Sequence, residues 1–535
     1  MGAELRLYDP GVTHPADRTS LQLAAELPLR RGRGAEQGRA AMQAAAYERL
    51  SVLDRSFLVF ERPGLPMHLG GVAIFEGGSL VREDGCVSLA ALRAHVRARL
   101  HLAPRYRQRL AFVPVLGRPV WVDAADFDLR RHVRRARLPA PGDGEALRQV
   151  AGRLFSNPID RDHPLWELWA IDGLGGGRFA LVVKTHHAMA DGISAFGLFA
   201  ALLSPTPEVT SERPLRWRPR PAPGPMALLR EEVARELKAP ADLGRRLAQR
   251  LARPAQLPLD FASDVRAVAD LVRAGLTPPA ETPLNQPVGP ERDFDWLALD
   301  LAEARRVKER LGGTLNDVVL ATVAGALRRF LGAGGPDSRR SDCRVVVPVS
   351  VRSQAAAGRA DNRVSAWLTS LPIAEPDPVR RLQQVQAMTE RLKRNETARG
   401  AALLMRVAEG VPAGLVDLGV RLTARLHPYN LIVTNIPGPD APLYLRGSRL
   451  RAAYPQVPLF EHQGLGIAVF SVDGRLCFGF HADPGVLPDL APLVEATRAA
   501  FTELCQASAG GGPAISSSAR RSWSSTRASS ANSSS

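Results

Sequence analysis

The stretch RFALVVKTHHAMADG, Arg178 to Gly192, settles the fold class. Phe179 to Val183 is an unbroken apolar run of strand length and reads as a buried strand. ISAFGLFAALL, Ile193 to Leu203, follows as a helix too short to cross a bilayer. Between them stand His186, His187, Asp191 and Gly192, so a buried strand hands two imidazoles and a carboxylate to a turn before a helix. That is the grammar of an α/β domain.

The alternation continues on both sides. MHLGGVAIFE (Met67 to Glu76) reads as a strand and LAALRAHVRARL (Leu89 to Leu100) as an amphipathic helix. In a second block, LNDVVLATVAGALRRFL (Leu315 to Leu331) has helical spacing. CRVVVPVSV (Cys343 to Val351), NLIVTNIPG (Asn430 to Gly438) and LGIAVFSVDGRLCFGFHAD (Leu465 to Asp483) read as strands, the last turned back by Asp473-Gly474. At 535 residues the chain is too long for one ordinary core. We therefore expect two α/β domains, 46–203 with the histidine pair and 290–506. Residues 204–289 form a basic Pro/Arg-rich helical bridge between them. Residues 1–45 read as a weakly patterned, disordered extension, and 507–535 as a Ser-rich tail unable to bury enough surface to fold.

Composition narrows the partners. Hydrophobic residues make up 45% and charged residues 23%, as in globular proteins. Residues 1–40 hold no signal-peptide block and no stretch has the length of a membrane span, so a cytoplasmic protein is expected. Four separated cysteines with no CxxC pair argue against disulfides and a cysteine zinc site. The formal charge is +16, carried by arginine with only four lysines, which also fits a GC-rich genome. No zinc-finger or basic–aromatic motif accompanies that charge, so nucleic acid is not expected as a partner. An anionic membrane or lipid-droplet surface, met peripherally, is. Arg213 to Arg253 holds eleven basic and four acidic residues, either a solvated linker helix or a basic amphipathic face lying on lipid.

Three readings compete for His186 and His187. A metal site needs a third ligand at suitable spacing, and adjacent strand residues point to opposite sides, so no metal is expected. Satisfied structural histidines are the second reading. In the third, one neutral imidazole takes a proton from an alcohol or amine while its neighbour and Asp191 hold the turn. Gly192 permits tight backbone there. GxSxG, GxGxxG and GxxxxGK[ST] are all absent, which leaves acyl-serine, dinucleotide and nucleotide-triphosphate chemistry without their signatures. A lone base suits direct attack of an acceptor on a reactive acyl donor such as a thioester.

The flanking text adds a resemblance. RLSVLDRSFLVFERPGLPMHLGG (Arg49 to Gly71), PVWVDAADFDLRRHVRRARLPAPG (Pro119 to Gly142) and IDRDHPLWELWAIDGL (Ile159 to Leu174) precede or flank HHxxxDG in order. NQPVGPER (Asn285 to Arg292), GGTLNDVVLATVAGALRRFL (Gly312 to Leu331), VPVSVR (Val347 to Arg352), DNRVSAWLTSLP (Asp361 to Pro372) and VTNIPGP (Val433 to Pro439) follow. From about Arg49 to Leu487 the chain resembles bacterial wax ester synthase/diacylglycerol acyltransferases. Val472 stands where that family often has tyrosine.

The resemblance implies two chloramphenicol-acetyltransferase-like domains with a substrate tunnel between them. It implies acyl-CoA as co-substrate, no permanently bound cofactor, and diacylglycerol or a long-chain alcohol as acceptor. His187 matches the catalytic base, and His186, Asp191 and Gly192 the supporting positions. Pro164, Leu165 and Trp166 match a motif associated with the acyl side, or else are core packing. Asn316 and Asp317 match an ND motif near the active site, or else cap their helix. Thr434 and Asn435 are candidates beside the developing oxyanion. Two other functions fit the same residues: a related condensation or acyl-transfer enzyme acting on polyketide, glycolipid or carrier-bound substrates, and a surface-binding protein with a dead site.

Overall fold

A computed structural model describes residues 47–189, 197–209, 213–235, 237, 279–280, 282–332, 343–350, 364–394 and 429–510 of the chain. In chain order the strands are β1 (Glu48–Arg49), β2 (His68–Glu76), β3 (Gln108–Phe112), β4 (Pro119–Asp123), β5 (Val133–Arg137), β6 (Trp166–Asp172), β7 (Arg178–His186) and β8 (Asp293–Asp300). They continue with β9 (Cys343–Ser350), β10 (Val364–Leu371), β11 (Leu431–Ile436), β12 (Tyr444–Leu445), β13 (Ser448–Gln456), β14 (Leu465–Val472) and β15 (Arg475–Ala482). The helices used below are α1 (Val52–Phe60), α2 (Leu89–Arg99), α3 (Gly144–Ser156), α4 (225–235), α5 (Leu301–Leu311), α6 (Leu315–Phe330), α7 (Pro378–Arg394) and α8 (Ala491–Ala509).

Two six-stranded mixed sheets carry the fold, as an α/β chain of two blocks requires. The first runs β12-β13-β2-β7-β6-β5 and the second β10-β9-β11-β14-β15-β8. The Asp473-Gly474 turn joins β14 to β15 through two left-handed residues, φ 49° and 74°, as a two-residue hairpin needs. Short polar residues start the helices: Ser51 accepts from the Asp54 N–H at 3.0 Å, and Asp143 from the Ala146 N–H at 2.9 Å. Each sheet has its own apolar core, one centred on Phe75, Trp166 and Phe179 and the other on α6, α8 and the faces of β14 and β15.

The sequence division and the sheets do not coincide. β13 lies in the second half of the chain yet pairs antiparallel with β2, from Leu450↔Phe75 to Gln456↔Gly70. The first sheet is thus completed by the second half. Further contacts bind the halves: α3 packs on β8, where the Phe155 and Phe294 rings meet edge to face at 5.1 Å and Arg148 pairs with Asp295. A Cβ on Gly152 would come within 2.8 Å of the Arg292 carbonyl, so glycine lets this helix approach. Of the bridge, residues 213–224 have no regular secondary structure and α4 and residue 237 are helical; the rest of that expected helix lies outside the described residues. A third, small sheet, β1-β4-β3, sits under α4.

Candidate active site

β7 ends at His186, and His187 opens a single 3₁₀ turn through Met189. Two backbone bonds fix that exit. The His186 N–H donates to the Leu165 carbonyl at 2.9 Å and the His187 N–H to the Met67 carbonyl at 2.8 Å. Both carbonyls belong to segments flanking neighbouring strands, so the sheet itself aims the two imidazoles.

The pair divides its labour. His186 is buried; its Nδ1 accepts from the Ala188 N–H at 3.0 Å, and its Nε2 lies 3.3 Å from Glu61 Oε2. An accepting Nδ1 leaves the proton on Nε2, facing the carboxylate. Glu61 also takes the Arg161 guanidinium. Burial pushes the Glu61 carboxyl up, but His186 and then Arg161 overcome it and hold the group at about 2. His186 is therefore held by a hydrogen bond at Nδ1 and faces the Glu61 carboxylate with Nε2.

His187 is held differently. Its ring stacks on Phe57 of α1, centroids 3.5 Å apart at 15°. Phe57 in turn meets Phe460 of the second half at 6.5 Å, and Phe60 meets Phe460 at 5.6 Å. The His187 imidazole thus sits on an aromatic layer spanning the seam between the halves. Its Nδ1 is buried with no hydrogen-bond partner on another described residue. Burial, with help from nearby His186, drives its pKa down to about 3, while its own backbone carbonyl works the other way. The ring is neutral throughout the physiological range, as a general base must be.

The other expected residues divide into four groups. Asp191 and Gly192 lie outside the described residues. Pro164, Leu165 and Trp166 are buried in the first core: Leu165 holds His186 through its carbonyl, and the Trp166 Nε1–H donates to the Tyr106 carbonyl at 2.8 Å while its ring stacks on His132. That arrangement is packing that supports the motif. Asn316 and Asn435 do meet, with the Asn435 amide donating to Asn316 Oδ1 at 3.4 Å, and Thr434 beside them is buried. Among the described contacts none of these three touches His187.

Asp317 belongs to its helix. The N-cap of α6 is Thr314, not Asn316 or Asp317. Asp317 Oδ2 accepts from the Thr314 N–H at 2.7 Å, and Thr314 Oγ1 accepts from the Asp317 N–H at 3.2 Å, closing a capping box. Its Oδ1 accepts from the Thr389 hydroxyl of α7 at 2.8 Å. Asp317→Ala should cost about 2 kcal/mol, because it removes the box and strands a buried hydroxyl. Urea unfolding checks this, and a change within 0.5 kcal/mol (about the size of a neutral surface substitution) would contradict it.

Further buried histidines surround the site. His68 pairs across the strands with His186, and its Nε2 accepts from the Ile159 N–H at 3.3 Å. His481 of β15 bonds the Val457 carbonyl through Nδ1 at 2.7 Å. Burial holds His68 well below its ordinary value and pushes His481 down to about 3. Both are neutral in the fold but protonate once unfolded below about pH 6.5. The unfolded state then binds more protons, so stability falls as pH drops from 6.5 toward 3. The expected slope is about 1.4 kcal/mol per pH unit for each such histidine, read from urea midpoints at pH 7, 6 and 5. A midpoint constant over that interval would contradict it.

Among the described residues no group of three His, Cys, Asp or Glu side chains could hold a metal ion. A cavity of about 630 Å³ lies between β10 and α7, lined by Thr369, Leu371 and Met388 among others. Another of about 510 Å³ lies beside Asp123, His163 and Arg220. Neither has His187 in its wall, so the expected tunnel is not traced by them.

Sequence reading missed Glu61, Phe57, Arg161 and Phe460. Glu61 ends α1 in FLVFERP with no spacing that ties it to His186. Only the fold brings them together.

Comparison with known proteins follows the geometry. Residues 50–319 match the family model described as wax ester synthase/diacylglycerol acyltransferase catalytic domain, and residues 360–505 the WS/DGAT C-terminal domain. The chain is 33% identical over 476 residues to a putative diacylglycerol O-acyltransferase of Mycobacterium tuberculosis, covering 87% of this chain and 91% of that one. It is 32% identical to a second protein of that organism, a probable diacylglycerol O-acyltransferase, covering 85% and 95%. Among solved structures it is similar to the wax ester synthase/diacylglycerol acyltransferase from Marinobacter aquaeolei VT8, with a TM-score of 0.61, 25% identity, and coverage of 86% of this chain and 100% of that one. The starter condensation domain of rhizomide synthetase shares the fold, with a TM-score of 0.52, 15% identity, and coverage of 88% and 96%.

Proposed function

We infer the activity from a plain premise: the chain belongs to the wax ester synthase/diacylglycerol acyltransferase family. It is an O-acyltransferase that moves a fatty acyl group from acyl-CoA to the hydroxyl of diacylglycerol or of a long-chain alcohol. The observation that carries its mechanism is the neutral His187 ring stacked at the seam of the two halves. The backbone carbonyl of His187 favours the proton on one ring nitrogen, and with it on Nδ1 the basic nitrogen is Nε2.

His187 Nε2 takes the acceptor's hydroxyl proton as the oxygen attacks the thioester carbonyl. The tetrahedral intermediate collapses with cleavage of the C–S bond. CoA thiolate leaves, and the proton on His187 passes to it, so ester and free thiol are the products. Thr434 and Asn435 are our candidates for donors to the developing oxyanion, supported by the meeting of Asn435 with Asn316. Glu61 and Arg161 act through His186, holding the turn that presents His187. Asp191 and Gly192 are assigned to the same support on the family motif.

No described helix is long and apolar enough to cross a membrane. The acceptors are lipids, so we place the protein at the surface of a membrane or lipid inclusion, held peripherally by its basic charge. The test is a product profile: purified protein, one radiolabelled acyl-CoA, and diacylglycerol or a panel of alcohols, resolved by thin-layer chromatography. Triacylglycerol or wax ester is expected. Transfer only from an acyl-carrier protein, with none from free acyl-CoA, would move the chain to condensation chemistry.

A further inference from the structure

The hairpin joining β3 to β4 turns through Phe112, Val113, Pro114, Val115, Leu116 and Gly117. Of these only Val113 is buried; Phe112 is 56% exposed and Val115 94%. Val115 has φ of 65°, and the Leu116 N–H donates to the Pro114 carbonyl at 2.7 Å, so valine is the apex of a γ-turn. A β-branched residue in that left-handed region is strained, and its exposed side chain has no packing among the described residues to offset the strain. Strain held at a solvent-facing tip points to a use outside the fold.

α4 stands beside this tip with two apolar faces. Leu228 and the buried Glu232 face the β1-β4-β3 sheet, Glu232 taking the Tyr47 hydroxyl at 2.9 Å and pairing with Arg49. At roughly 100° per residue, positions 226 and 233 align on the far side of the helix. There Met226 is 67% exposed and Val233 38%. Leu116 of the tip and Leu229 of the helix both pack at the edge of the same small core, so tip and helix adjoin. Arg213, Arg216, Arg218 and Arg230 are exposed nearby in sequence, with Leu215 between them 61% exposed.

We propose that the Phe112–Val115 tip and the Met226/Val233 stripe of α4 form a docking surface for an anionic lipid layer. Apolar side chains enter the acyl boundary while the arginines meet the headgroups. Charge complementarity selects this occupant. Exposed apolar side chains at the tip and on the helix lie beside exposed arginines, the pairing that an apolar layer under anionic headgroups matches on both counts. The inference rests on the acyl-transfer reading for its choice of a lipid partner; the docking geometry is independent of His187.

The test uses the full chain with phosphatidylcholine vesicles, with and without phosphatidylglycerol, in a sedimentation assay. Wild type should bind the phosphatidylglycerol vesicles more tightly and lose binding as salt rises. Val115→Asp and Met226→Asp, both at exposed positions, should each lower partitioning by about tenfold or more. Val115→Trp should show blue-shifted emission on vesicles that brominated lipid quenches. Transfer to diacylglycerol in vesicles should fall in the Asp variants, while transfer to a short water-soluble alcohol stays at the wild-type rate. Wild-type partitioning in both Asp variants, or no vesicle binding by wild type, overturns the docking surface. If wild type transfers acyl groups to no acceptor yet the Asp variants still lose vesicle binding, the acyltransferase reading fails and the docking surface stands.

Discussion

His187→Ala is expected to lower turnover by roughly 10²–10⁴-fold, the usual contribution of a positioned general base. The circular dichroism spectrum should stay that of wild type, because the ring contributes a stack on Phe57 and no hydrogen bond to another described residue. The pH profile supplies an independent readout. A base held at about 3 is unprotonated down to strongly acid pH, so kcat/KM of the wild type should show no acid limb near 6.5. The rate should stay level from pH 8 to pH 5, and any fall near 5 should track unfolding of the protein rather than titration of the site. A variant retaining turnover within a few-fold of wild type would remove His187 from the mechanism.

Arg292→Leu should be the most destabilising single change at the seam. The Arg292 side chain is fully buried, and Nη1 donates to the Gly289 and Glu291 carbonyls at 2.7 Å each. Nη2 donates to the Gly64 carbonyl of the first half at 2.9 Å, and Asp483 of the second lies 3.7 Å away. Burial pulls the guanidinium down to about 10 against the pull of Asp483, which still leaves it charged at neutral pH. Removing it takes the cation from a buried carboxylate, which keeps its bonds from the Gly289 and Gly485 N–H groups, and the donor from three carbonyls, at a cost of about 3–5 kcal/mol. Urea unfolding followed by tryptophan fluorescence measures this. A loss below about 1 kcal/mol, the range of an exposed pair, would mean that water replaces the guanidinium.

Much of the fold was legible because its period was local. The Phe179–Val183 run, the Leu315–Leu331 helix and the Asp473-Gly474 hairpin each declare themselves within one continuous short stretch, and each lies where expected. The histidine pair was legible for the same reason. Glu61 was not, because nothing in FLVFERP announces that this helix end will face an imidazole carried by a distant strand. Asp317 shows a subtler limit: the ND dipeptide was visible, but its job was set by Thr314 before it and Thr389 on a later helix. The placement of β13 was the largest omission. Its alternation marks a half-buried strand, yet no local pattern says which sheet it joins.

That strand has a consequence for synthesis. While the ribosome is still short of Gln456, β2 has β7 on one flank and an unfilled row of N–H and C=O groups on the other. Such a row is a template for pairing with another copy. A nascent chain, or a fragment halted near the midpoint, therefore carries a sticky, half-built sheet that only the far end of the polypeptide can close. Late closure of this kind favours slow maturation and reliance on chaperones.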